Sequence, residues 1–198
     1  MKNLFLAGIL LAYCLAFCAC QNAKTDTKDS TNTITTPIPE PVITKDTSSS
    51  KAGAMSAALQ EVLASYLELK NAFTADNASA AAIVGRKLQK QLTDVNTASF
   101  PKDKVDMFLD LQSDAIEHAD HIGVNAGHIK HQRVHFAPLS KDIYTMVKAF
   151  GSNQPLYYEY CPMYNDGKDG YWLSQSKEIS NPYMGKAMPK CGVVKEEL

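Results

Sequence analysis

The chain has 198 residues, room for one domain and its appendages at ~150 residues per domain. Twenty Lys and Arg stand against 21 Asp and Glu, a net charge of -1, so nothing here has the basic footprint of a nucleic-acid binder. Hydrophobic residues at 45% exclude a wholly disordered chain, and ten Gly and nine Pro exclude a collagen-like or low-complexity one.

Residues 1–20, MKNLFLAGILLAYCLAFCAC, open with Lys2 and continue as an apolar run from Leu4 to Phe17. Such a run is short for a ~30 Å hydrocarbon core and fits a secretory signal better. It ends in Ala19-Cys20, which resembles a bacterial lipobox, so Cys20 is expected to carry a lipid anchor. Cys14 and Cys18 follow bulky Tyr13 and Phe17 and are poorer cleavage sites. An exported protein works where disulfides persist. Residues 21–52 are rich in Thr, Ser, Asp, Lys and Pro with few apolar residues, the composition of a disordered tether.

From residue 53 to the end the sequence reads as a single domain. Met55, Leu59, Val62, Leu63, Tyr66 and Leu69 repeat with a helical period. A second helix spans about Ser79 to Asn96, with Ile83, Val84, Leu88 and Leu92 as its apolar residues. Ser99-Phe-Pro-Lys is a start signal, with Pro101 suited to the first turn of a third helix that runs to about Ile122. Its stripe is Val105, Phe108, Leu109, Leu111 and Ile116. A fourth helical stretch covers about His128 to Phe150, where Pro138 predicts a kink or a split with Ser140 as a new N-cap. Gly151 ends it. Four helices with short connections predict a mainly α fold, an antiparallel bundle over 53–150. Over 151–198 the segments LYYEYC, GYWLS and GVV read as short strands of a small β or irregular cap. Trp172, Tyr157, Tyr158, Tyr160 and Tyr183 are its expected packing surface on the bundle. Arg133 is expected to pair with an acidic residue or a cap carbonyl, and Asn181-Pro182 to make a turn.

Two groups of residues could carry chemistry. All five histidines, His118, His121, His128, His131 and His135, fall within eighteen residues at helical spacings of three and four. Antiparallel neighbours would bring them to one end of the bundle, although solvated polar-face residues show the same pattern. The cap holds Cys161 and Met163 at one side and Met184, Met188 and Cys191 at the other. A thiolate–thioether set favours Cu(I), and imidazole suits Cu, Zn and Ni. The same cysteines could instead form a disulfide, closing about thirty residues and stabilising the domain by ~3–4 kcal/mol. The methionines could be core. No CxxC, P-loop, nucleophile elbow or dinucleotide fingerprint is present, and no enzymatic activity is expected.

The stretch HQRVHFAPLSKDIYTMVKAFG (131–151), then YCPM (160–163), WLS (172–174), EISNPYMGKAM (178–188) and CG (191–192), is similar to the domain-of-unknown-function 3347 family. The resemblance covers about residues 54–198. That family occurs as exported lipoproteins of Gram-negative bacteria and fused to adaptors of copper/silver-type efflux systems. The resemblance implies a heavy-metal role. On matched positions it carries His131, Arg133, His135 and Phe136, then Cys161, Met163, Trp172, Asn181, Pro182, Tyr183, Met188 and Cys191. His118 and His121 resemble a recurring pair, and Met184 stands where Tyr or Phe is more usual. The CPM element also resembles the CPMHP modules of related adaptors, with Tyr164-Asn165 in place of His-Pro.

These readings converge on a lipid-anchored envelope protein that binds a soft metal ion, Cu(I) first, for buffering or hand-off to an efflux adaptor. Cys161, Met163, Met188 and Cys191 would supply sulfur, and His131 and His135 nitrogen, with His118, His121, His128 and Met184 as weaker candidates. The alternatives are an interaction module stapled by a Cys161–Cys191 disulfide, and a structural Cys2His2 zinc site of His131, His135, Cys161 and Cys191.

Overall fold

The computed structural model describes residues 55–198. The segments expected to be a signal sequence ending at Cys20 and a tether lie outside the described residues. Four helices follow one another: α1 (Ala57–Thr74), α2 (Ala78–Asp94), α3 (Lys102–Val124) and α4 (Ile129–Phe150). Two of them start at side-chain caps. Ser56 Oγ accepts from the Leu59 N–H at 3.4 Å, and Asn77 Oδ1 accepts from the Ala80 N–H at 2.9 Å. Pro101 sits at the N-cap position of α3, one residue before its first turn. Each helix packs against the next through a short connection, an up-and-down arrangement.

The expected stripes are buried in α1 and α4, where Leu63, Tyr66, Leu69, Phe73, Phe136, Leu139 and Ile143 form the heart of the core. Two expected core residues, Ile83 and Leu109, point outward instead. The reason is the close approach of α2 and α3. Their contact is made by small residues: Gly85 lies against Ala119, Ile122 and Gly123 so tightly that a Cβ would clash. Ala115 and Ala119, not Leu109, line the buried side of α3. A second expectation is also corrected. Pro138 neither splits α4 nor creates a new cap, and the helix runs unbroken from Ile129 to Phe150. Ser140 is a buried interior residue whose Oγ accepts from Tyr66 Oη at 2.9 Å, so tertiary packing outweighs the local penalty of the proline.

The cap is a three-stranded antiparallel sheet in the order β2-β1-β3, built from β1 (Tyr157–Tyr160), β2 (Tyr171–Ser174) and β3 (Val193–Glu197). Trp172 and Leu173 are buried, and Tyr158 stacks on Tyr144 of α4 with ring centres 3.9 Å apart. Tyr183 tilts against Phe136 at 5.6 Å. Glu159 lies opposite Trp172 in the sheet register and is fully buried, with neither carboxylate oxygen hydrogen-bonded. Burial pushes its carboxyl up to about 7, an effect that the Trp172 indole and the nearby Lys70 of α1 only partly offset.

One cluster ties cap to bundle. The buried Arg133 of α4 donates from Nε to the Pro182 carbonyl at 2.7 Å, and from Nη2 to the Phe73 carbonyl at 2.9 Å and Asp76 Oδ1 at 2.6 Å. Arg133 thus makes both kinds of contact expected of it. The other oxygen of Asp76 accepts the Lys186 N–H at 2.9 Å. Gly185, at φ +52°, fits above this pair because it has no side chain; a Cβ would run into the Asp76 carboxylate and the Arg133 guanidinium. Asn181 does more than turn the chain. It is fully buried, its Oδ1 accepts the N–H groups of Tyr183 (2.8 Å) and Met184 (2.9 Å), and its Nδ2 donates to the Cys191 carbonyl at 2.6 Å.

Candidate metal centre

The end of α3 and the first half of α4 form a hairpin turned at Asn125–His128, where Gly127 takes φ 88°. Asn125 Nδ2 donates to the His121 carbonyl at 2.8 Å and closes the end of α3. Gln132, fully buried, donates from Nε2 to the Ile122 and Ala78 carbonyls, both at 3.0 Å. Arg86 of α2 donates to the Gly123 carbonyl. The backbone under the histidines is therefore fixed from three helices.

On this frame His121 of α3 and His131 and His135 of α4 face one another, and their ligand-capable atoms all lie within 4.8 Å of each other. The His121 and His135 rings are parallel with centres 4.2 Å apart, and His131 meets His135 nearly edge-on at 4.8 Å. His118, one turn back on α3, brings its Nδ1 to 3.3 Å from His135 Nδ1. Such a contact is a hydrogen bond only if one of the two nitrogens carries the proton and the other offers its lone pair. Burial pushes His135 down to about 4, helped by the neighbouring His121, His131 and His118. Burial also lowers His118. Neutral imidazoles with free lone pairs are the form that ligates a metal. Metal–nitrogen bonds are ~2.0–2.1 Å, so the rings reach a shared ion by small side-chain rotations. His131 is exposed while His121 and His135 are half-buried, leaving the site open on one side. His128 lies at the N-cap of α4, exposed and apart from the group.

The sulfur residues gather elsewhere, in the cap. Cys161 follows β1 and is buried, its N–H bonded to the Gly170 carbonyl at 2.8 Å. Its Sγ lies 3.1 Å from Sγ of Cys191, and both are free thiols. The Cys161 thiol beside it pushes the Cys191 thiol up, and the Met163 N–H directed at its sulfur acts the other way. Met188 accepts the Cys191 N–H at 3.2 Å, while the side chains of Met163 and Met188 are exposed. Met184 is half-buried and packs against the hydrophobic core.

The sites expected from the sequence joined sulfur to His131 and His135, with Cys2His2 as an alternative. Among the described residues, neither cysteine joins a histidine or carboxylate in a group of three with ligand geometry. The reason is helical phase. His131 and His135 share a face directed at α3, and Arg133, ~200° round the axis, is the residue that meets the cap. His121, ranked low in the sequence, is the residue that completes a group of three with His131 and His135.

Residues 62–155 match the model of a family described as a protein of unknown function, DUF3347, in line with the resemblance read from the sequence. The matched span contains all five histidines and Arg133 and stops before β1, so it leaves out both cysteines of the cap. No curated protein and no solved structure matches the chain.

Proposed function

We propose that this domain binds a transition-metal ion through His121, His131 and His135, with His118 available as a fourth nitrogen. The carrying observation is the convergence of three imidazoles from two helices within 4.8 Å. The low pKa of His135 leaves its lone pair free at neutral pH. Imidazole sets suit copper and zinc alike. Copper is the preferred cargo in this reading, because the paired thiols, with Met163 and Met188 close by in sequence, are soft donors of the kind that favours Cu(I). The role is buffering or hand-off to an efflux adaptor at the cell envelope, with the domain held on a lipid anchor at Cys20. It is a binding role and not a catalytic one. Zinc at the same three histidines is the alternative metal.

A Cu(I) titration of reduced, anaerobic protein against a chromophoric chelator tests this. Tight binding is expected, with one equivalent lost in His121→Ala/His135→Ala and the softer one lost in Cys161→Ser. Affinity unchanged in the histidine double variant for both copper and zinc would overturn the histidine site. A second reading rests on the 3.1 Å approach of the two sulfurs. Oxidation would staple the cap and make it a rigid interaction module. A Cys161–Cys191 disulfide in protein taken from cells, with no metal response, would favour that reading.

A further inference from the structure

A second concavity lies between α4 and the sheet, about 1070 Å³ in volume, and it shares no residue with the histidine group or the thiol pair. Organic ligands commonly occupy pockets of about 300–1,000 Å³ with apolar walls and a few placed polar groups. One wall is a stack of tyrosines: Tyr158 lies between Tyr144 at 3.9 Å and Tyr171 at 5.1 Å. Val134, Ala137 and Pro138 of α4 add apolar lining. Val134 there is 58% exposed, although it stands mid-helix among core residues.

The charge of this cleft is one-sided. Lys130, Lys141, Lys168 and Arg133 line it against a single carboxylate, Asp169. Arg133 is already satisfied by the Asp76 contact, and Asp169 is held by Asn165 Nδ2 at 2.9 Å. The three lysines are exposed, and none forms an ion pair among the described residues. Three free ammonium groups around an aromatic and aliphatic trough are complementary to an anion with a flat apolar body.

We propose that this cleft is a binding site for a small amphiphilic organic anion, a carboxylate or sulfonate on an aromatic body. The ring stacks along the tyrosine wall and against Val134, and the acid group meets Lys141 and Lys168.

Naphthalene-2-sulfonate titrated calorimetrically into the metal-free full chain tests the site, with naphthalene-2-sulfonamide as the uncharged probe of the same shape. Saturable one-to-one binding of the sulfonate is expected, weakened about fivefold or more by Lys141→Gln/Lys168→Gln and by added salt. Val134→Trp, a change at an exposed position that fills the trough, should abolish binding without lowering the melting temperature. Absence of saturable binding would overturn the proposal. So would equal affinity for the neutral probe, which removes the anion requirement, or full binding by a folded Val134→Trp protein, which places the ligand elsewhere.

Discussion

Replacing Arg133 with Met should cost about 3–5 kcal/mol of folding stability. The guanidinium makes three hydrogen bonds within 2.9 Å, two to backbone carbonyls and one to a carboxylate. Methionine keeps much of the aliphatic volume and removes every donor. The Pro182 carbonyl then loses its partner inside the fold, at about 1–3 kcal/mol, while the Phe73 carbonyl loses one of two donors and keeps the Asp76 N–H at 3.1 Å. Asp76 suffers less, because its side chain is 33% exposed and it keeps the Lys186 N–H. For a domain of this size each kcal/mol lowers the melting temperature by about 2–4 °C, so a fall near 10 °C is expected. Urea unfolding followed by circular dichroism at pH 7 measures it directly. Asp76→Asn should cost less, and the double variant should cost less than the sum, since the two residues share one interaction. Asp76 also gives the effect a pH signature. The Arg133 hydrogen bond holds its carboxyl below the ordinary range, so the contribution is present above that range and is lost as pH falls below it through the depressed folded value. A cost under about 1 kcal/mol for Arg133→Met would refute the reasoning, because it would mean that the carbonyls find water or that the cap is not fastened here.

Glu159 carries the opposite sign. Its folded carboxyl is raised to about 7, so stability should rise as pH falls from about 7 toward the ordinary carboxyl range, and the burial penalty is fully felt only above about 7. Glu159→Gln should therefore stabilise the protein by about 1–3 kcal/mol at pH 8 and by little at pH 5, as read by urea midpoints at the two pH values. Gly185→Ala should cost about 2 kcal/mol or more, since it adds a clash with Asp76 to a φ of +52°, and thermal melts will show it. A metal at a hundredfold its Kd should add about 2.7 kcal/mol of stability, an increment that His135→Ala removes; differential scanning calorimetry with and without Cu or Zn checks both statements.

The bundle was legible because long helices write their period into the sequence. All six apolar residues assigned to α1 are buried, as are six of the seven assigned to α4, with Ile129 only partly so. Ile83 and Leu109 misled for a physical reason: apolarity reports hydrophobicity, while a close helix crossing is made by residues too small to stand out, here Gly85 and Ala119. The split expected as one outcome at Pro138 does not occur, because local propensity is a weak force against a packed core. The histidines were legible as a cluster through their spacing alone. Their separation from the thiols was not, since it depends on which face of α4 turns toward the cap. The partners of Arg133 were half legible. Its need for a carboxylate followed from chemistry, but Asp76 lies 57 residues away in a turn with nothing to mark it.

The family match ends at residue 155, before the first strand, and that border is not where the fold can be cut. Arg133 and Tyr66 both lie inside the matched span, yet one needs the Pro182 carbonyl and the other accepts the Leu173 N–H at 3.0 Å. A chain stopped at the border would expose Tyr66 and Phe136 and strand a buried guanidinium with one acceptor fewer. Anyone producing this domain from the match alone would be making an aggregation-prone fragment. The last forty-odd residues belong in every expressed version.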